Sequence, residues 1–186
     1  IFTLLLFSSS LAAQPDSTAS SRRYFLSVHA GGLLGKTGNG TSLTCALIQG
    51  VRYKRFAFGA GAGYDAYPEW RMVPFFGSAT YDLVRGRQNA LYVGLNSGFS
   101  KAWNPLFEQA HFDYRQTGAG GSFIHPLVGY NIVSGDVRLY IGVGYKVQRL
   151  VYHHIIEYWN PGTPDSKITY RREMQRLSMQ IGFGFR

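Results

Sequence analysis

Near its C-terminus the chain alternates apolar and polar positions without a break. Leu177, Met179, Ile181, Phe183 and Phe185 interleave with Ser178, Gln180, Gly182 and Gly184. A period of two puts the five apolar side chains on one face of a strand and leaves the other face polar or without side chains. A strand of a water-soluble core shows long polar groups to solvent. Glycine opposite phenylalanine fits a barrel wall instead, with lipid outside and a narrow lumen within. The same pattern recurs upstream, predicting eight strands at 24–34, 42–53, 56–65, 72–83, 90–100, 120–132, 137–152 and 174–185. Strand seven sends Val137, Leu139, Ile141, Val143 and Tyr145 outward, and Arg138, Tyr140, Gly142, Gly144 and Lys146 inward. Strand three sends Phe56, Phe58, Ala60, Ala62 and Tyr64 out, with Gly59, Gly61 and Gly63 in; strand five sends Leu91, Val93 and Leu95 out, with Tyr92, Gly94 and Asn96 in. About ten residues at ~3.3 Å rise, tilted near ~40°, cover the roughly 25 Å apolar band of a membrane barrel.

Connection lengths alternate as well. Those at 54–55, 84–89 and 133–136 are short, whereas 101–119 and 153–173 are the longest. Short turns at one end and long loops at the other are the mark of an outer-membrane barrel, periplasmic and extracellular respectively. An even strand count then places both termini on the periplasmic side. Tyr24, Tyr53, Phe56, Tyr81, Tyr130 and Phe185 fall on outward positions near the short-turn end, where an interfacial aromatic girdle belongs. Pro74 and Pro126 fit regular strands poorly, since a closed barrel has no edge to hide a missing N–H.

Composition changes the picture in three places. Only 16% of the 186 residues are charged, against roughly 25% in soluble domains, while 23 are glycine, 13 tyrosine and 13 phenylalanine. A mean hydropathy of −0.11, with no later apolar run of about 20 residues, excludes membrane-spanning helices. Residues 1–13 read as a secretory signal lacking its positive start, with an apolar run through Phe7 and a Leu11-Ala12-Ala13 cleavage site. A short periplasmic segment is expected over 14–23 and the barrel domain over 24–186. Cys45 is the lone cysteine, which rules out an internal disulfide and a cysteine zinc site. The net charge of +9 is scattered over strand ends (Arg22 and Arg23, Lys54 and Arg55, Arg85 and Arg87, Arg171 and Arg172), an interfacial rather than a nucleic-acid-binding distribution.

Motifs that mimic chemistry do so without the required context. Ala30 to Thr37 approaches a phosphate-binding loop, but Gly38-Asn39-Gly40 follows where a helix must open, so a first extracellular loop is expected. Gly59 to Gly63 keeps a period of two through Tyr64, unlike a dinucleotide loop. His153 and His154, with Glu157, are adjacent histidines that a strand points to opposite faces. Ser166, either histidine, and Glu157 or Glu173 are the candidates for a hydrolase triad at the outer rim. Asn39-Gly40-Thr41 matches a glycosylation sequon, uninformative in a bacterial envelope. Arg52, Asp82 and Arg138 all face inward near the short-turn end, where Asp82 is expected to bridge one or both arginines as a structural lumen plug. Lys146 lies higher, with Glu173 as its expected partner. No cofactor or metal site is expected.

The export signal, eight alternating strands, outward aromatic rows and aromatic last strand resemble the small OmpA/OmpX-type outer-membrane β-barrel proteins of Gram-negative bacteria. Gly50-Val51-Arg52-Tyr53, Gly59-Ala60-Gly61-Ala62-Gly63-Tyr64-Asp65 and Val128-Gly129-Tyr130 are phrases similar to those of that superfamily. The resemblance covers the mature chain. It implies an all-β, closed, up-and-down antiparallel transmembrane β-barrel of eight strands, in contact with outer-membrane lipid and lipopolysaccharide and inserted by the barrel-assembly machinery. It also implies an assembly signal at Ile181, Phe183 and Phe185. The family's signal ends on an aromatic residue, and here Arg186 follows Phe185, so either a terminal residue is missing or the signal is read one place earlier. Eight strands enclose an interior filled by side chains. The expected role is therefore non-enzymatic, in envelope structure or surface interaction through the long loops with an extracellular partner. The competing classes are a lipid-A-modifying enzyme, a narrow solute or ion channel and a soluble ligand-binding barrel.

Overall fold

A computed structural model describes residues 23–35, 40–86, 88–103, 114–156 and 166–185. Eight strands, β1 (Arg23–Gly35), β2 (Thr41–Tyr53), β3 (Phe56–Ala66), β4 (Arg71–Arg85), β5 (Asn89–Trp103), β6 (Tyr114–Ser134), β7 (Val137–Ile156) and β8 (Ser166–Phe185), form a closed barrel in sequence order. Every neighbouring pair is antiparallel, and β1 closes on β8 from Leu26↔Phe185 to Gly35↔Arg176. The expected signal segment and most of the expected N-terminal segment lie outside the described residues. At the short-turn end Lys54-Arg55 and Gly135-Asp136 make two-residue hairpins. Gly135, at φ 58°, takes the left-handed conformation without strain; Lys54, at φ 54°, takes it against its Cβ.

β6, β7 and β8 run well past their expected limits. Beyond the barrel they remain paired with one another, Tyr114↔Ile156 and Ile156↔Ser166 being the last rungs. On the β5 side β6 is paired only as far as Gly120, and on the β1 side β8 only as far as Arg176. The result is a three-stranded blade that projects roughly 20 Å along the strands at ~3.3 Å per residue. Alternation misses it because consecutive residues, Arg171, Arg172 and Glu173, are all exposed. A bulge between Gly118 and Gly120 marks where β6 leaves the barrel, with Gly120 at φ 125°.

The facing assignments match the observed burial. Val137, Ile141, Val143 and Tyr145 are exposed while Arg138, Tyr140, Gly142, Gly144 and Lys146 are buried. Around the wall, Leu26, Val28, Leu47, Phe58, Phe75, Leu95, Ile124, Val128, Met179 and Ile181 continue an exposed apolar belt. Phe56, Phe58 and Tyr81 stack within it at the short-turn end, ring centroids 4.7–6.0 Å apart. An apolar belt open on the outside is the inverse of a soluble barrel and is what a hydrocarbon layer covers. Val143→Arg should therefore cost about 2–4 kcal/mol in a bilayer. The same change at the exposed turn residue Asp136 should cost little. Gly144→Arg should fail for a different reason, because a Cβ there meets His125 Nε2 and Pro126 O at 2.7 Å and Ser178 Oγ at 2.8 Å. Equal urea midpoints for Val143→Arg and Asp136→Arg would contradict this facing.

Both prolines sit at gaps in the ladder. β3 pairs β4 at Ala62↔Phe75 and again at Asp65↔Met72, with no rung at Pro74; β6 pairs β7 at Ile124↔Val147 and Leu127↔Gly144, with none at Pro126. Register is unchanged across each gap, so the missing N–H is absorbed by skipped rungs rather than by a fold defect.

Candidate functional site

The inward-facing residues make a lumen that is filled in layers. At the short-turn end Asp82, on β4 beside a bulge that isolates Leu83, accepts from Arg52 Nη1 of β2 at 3.2 Å. The guanidinium of Arg52 also lies 5.9 Å from the Phe25 ring centroid. Arg138, buried at the start of β7, donates to Asn131 Oδ1 at 3.5 Å and shares with Arg52 the wall of a cavity of about 10 Å³. Above them Tyr92 and Tyr140 pack edge-on with centroids 6.0 Å apart, and Tyr140 contacts the His29 ring at 5.2 Å. Gly129 and Gly142 lie beneath the Tyr92 hydroxyl, leaving the space its ring occupies.

The middle holds two cavities of about 30 Å³ each, both lined by His29, Ile48, Asn96 and Gln180. His29 Nδ1 and Asn96 Oδ1 have no hydrogen-bond partner, and each cavity has room for one or two waters beside them. His125 Nε2 lies 2.6 Å from Ser178 Oγ, and His29 Nε2 lies 3.1 Å from Ser27 Oγ. Both are buried histidine–serine contacts beside these cavities.

Higher still is a second ion pair. Asp65, at the top of β3, is fully buried and bonds the Lys146 ammonium of β7, while Thr44 Oγ1 donates to its other oxygen at 2.6 Å. Lys146 also lies 4.7 Å from the Phe123 ring centroid. The expected partner of Lys146, Glu173, is instead on the outer face, 3.7 Å from Arg149. Strand parity explains the correction, since β8 turns its odd positions outward and Glu173 shares the side of Leu177 and Met179. The signal for Asp65 was already present, because it continues the inward row of Gly59, Gly61 and Gly63.

Apolar side chains close the long-loop end. Leu33, Tyr67, Trp70, Met72, Ala102, Leu150 and Met174 form a buried cluster, with Tyr152 against it. Tyr67 and Trp70 come from the β3–β4 connection, which folds over the lumen. Arg71 holds it by donating to Tyr67 O, and Arg172 reaches Glu69 at 2.7 Å. Arg176 lies 5.5 Å from the Tyr67 ring. Burial, followed by the Asp65 carboxylate, pushes the Tyr67 phenol well above its ordinary pKa while Arg176 opposes them, so the hydroxyl stays protonated. Gln148 links β7 to β5 by donating to Ser100 Oγ at 2.8 Å.

Among the described candidate hydrolase residues, Ser166 and Glu173 lie far apart on β8. His153 pairs Thr169, bonding its hydroxyl at 2.9 Å, whereas Ser166 pairs Ile156 and Glu173 pairs Arg149. Ser166 and Glu173 are seven residues apart on one strand, roughly 23 Å at ~3.3 Å per residue. Glu157 lies outside the described residues, as do Lys36 to Asn39 of the phosphate-loop mimic and the sequon asparagine. Ala30 to Gly35 and Gly59 to Gly63 are strand. Among the described residues, no three His, Cys, Asp or Glu side chains come together as a metal site. Ile181, Phe183 and Phe185 point outward, and Phe185 pairs both Val137 and Leu26 at the closing seam.

No protein-family model and no curated protein matches the chain. Solved structures do. The crystal structure of neisserial surface protein A aligns with a TM-score of 0.61 and 14% identity, covering 87% of this chain and 96% of that one. The outer membrane protein OprG of Pseudomonas aeruginosa aligns at 0.50 and 9% identity, covering 87% and 95%. With identities this low, the likeness is one of architecture: this chain has the fold of the eight-stranded outer-membrane β-barrels.

Proposed function

We propose that the protein is an integral outer-membrane barrel of the small OmpA/OmpX type that acts without catalysis, in envelope structure or surface interaction. Both termini lie on the periplasmic side, and the long-loop end faces out of the cell. One observation carries this reading: the lumen is filled by two ion-pair layers and an apolar cap, while the β6–β8 blade projects beyond the wall. A filled lumen supports neither a wide solute path nor a substrate pocket. The projecting blade supplies exposed surface and, along β6 and β8, edges that no other described strand pairs, to which a partner strand can add.

An epitope tag inserted within 160–164, between β7 and β8, should be stained on intact cells. The same tag in the Gly135-Asp136 turn should be stained only after permeabilisation. The reverse pattern would overturn the orientation, and sustained large conductance in planar bilayers would overturn the sealed lumen.

The C-terminal row is the proposed assembly signal. Phe185→Ala should reduce the amount of protein inserted in the membrane more than Phe99→Ala, although each removes one exposed ring. Indistinguishable membrane levels for the two variants would remove Phe185 from that role.

A further inference from the structure

Along 166–175, β8 has β7 on one side and no described strand on the other. That open edge is roughly 30 Å long at ~3.3 Å per residue, and its register against β7 does not shift. The open part of β6, 114–119, is shorter and contains the bulge before Gly120. A long regular edge is a template for another strand, and parity sets what this one presents. On the outer face Thr169 bonds His153 at 2.9 Å and Glu173 lies 3.7 Å from Arg149, so Arg171 stands between them on that face. On the inner face Tyr170 stacks on Tyr152, centroids 5.2 Å and planes 13° apart, and Arg172 holds Glu69 at 2.7 Å. Ile168 shares the inner face. All of 168–173 is exposed. Arg149 and Arg172 each have a carboxylate, whereas Arg171 has no ion-pair partner among the described residues.

We propose that the β8 edge takes an extended segment of another protein, added antiparallel, with an acid on its outer face and β-branched residues on its inner face. Side chains directly opposite one another across two strands are in contact, so each position of the edge selects its partner. A carboxylate opposite Arg171 gives it an ion pair. Valine or isoleucine opposite Tyr170 and Ile168 covers two apolar side chains that are each 40% exposed. The Tyr170 ring is a firm platform for this, because Tyr152 behind it packs in turn on Trp70 at 5.1 Å. A small polar residue suits the place opposite Thr169. Read along the partner, the order is acid, apolar, polar, apolar. A second copy of this edge does not fit, since it would set its own arginines against Arg171 and Arg172, and like charges across a strand pair repel. This assignment rests on the proposed reading of the blade as an interaction surface and adds the edge, the register and the chemistry of the partner.

The probe is a fluorescent peptide, Thr-Glu-Val-Thr-Val-Thr, titrated by anisotropy against the full chain refolded in detergent micelles and shown to be folded by its heat-modifiable gel mobility. Two further forms of the peptide are methylated on alternate amide nitrogens, in the two possible phases. The phase that faces β8 should abolish binding and the other should leave it intact. Arg171→Glu should bind the probe about fivefold more weakly and should gain the analogue Thr-Lys-Val-Thr-Val-Thr, which wild type binds more weakly than the probe by a similar factor. That exchange of preference separates recognition from damage to the barrel. Lys54→Glu makes the same change of charge at the opposite end and should bind as wild type does. Equal effects of the two methylation phases would overturn strand addition, leaving charge attraction alone. An unchanged preference in Arg171→Glu would overturn the register, and self-association that blocks the probe would give the edge to a second copy. Each of these failures is read on a folded barrel and leaves the outer-membrane reading standing. A probe that binds in micelles but labels cells only after permeabilisation overturns the outward orientation instead.

Discussion

Asp65→Ala should be the most damaging single substitution in the lumen. It removes the carboxylate that holds the Lys146 ammonium and takes the Thr44 hydroxyl's bond, in a site where Asp65 is fully buried and Lys146 nearly so. Breaking one side of a buried pair leaves an uncompensated charge, at a cost of about 3–5 kcal/mol, less whatever is returned by water reaching the upper cavity. The Phe123 ring beside Lys146 offers only a weak substitute. Replacing both partners should be far milder, because an apolar pair of similar volume carries no stranded charge. Urea unfolding of the refolded barrel should show a large drop in midpoint for Asp65→Ala and recovery of most of it in Asp65→Leu with Lys146→Met. An unchanged midpoint for the single variant would mean that Lys146 is solvated and the upper layer is not a seal.

The second large effect is expected at the other end. Asp82→Ala strips Arg52 of its carboxylate and leaves it with the Phe25 ring. The same order of penalty applies, about 3–5 kcal/mol for a fully desolvated pair, reduced here because Arg52 lies closer to the barrel mouth and water can reach it. Asp82→Ala should therefore destabilise less than Asp65→Ala, and more than Arg138→Gln, which keeps an amide donor for Asn131. Salt should move none of these differences strongly, since interior charges are weakly screened. A midpoint unchanged by Asp82→Ala would place these charges at a solvated rim.

The barrel itself was legible because its wall has to satisfy a strict rule. Every second residue meets lipid, so period-two alternation survives in all eight strands, and the inward row could be followed residue by residue to Arg52, Asp82, Arg138 and Lys146. What the rule does not cover was misjudged. The blade reads as loop because consecutive charged residues, Arg171, Arg172 and Glu173, stand where alternation is needed to mark a strand. Glu173 was paired with Lys146 by height on the barrel alone, without the parity that sends it outward. Asp65 continues an inward row of three glycines, which carry no side chain to mark that row as part of an ion-pair layer. The apolar cap was hidden for another reason: Tyr67 and Trp70 belong to a connection, and nothing local says that a connection folds inward over a lumen. Pro74 and Pro126 looked like defects because a skipped ladder rung leaves no trace in the sequence.

Electrophoretic mobility of the exported protein tests most directly whether the chain is a closed barrel in a membrane. Outer-membrane fractions from a Gram-negative host should contain the chain, running fast on a gel when unheated and shifting to its full-length position after boiling. A soluble periplasmic pool whose mobility does not change on heating would contradict it.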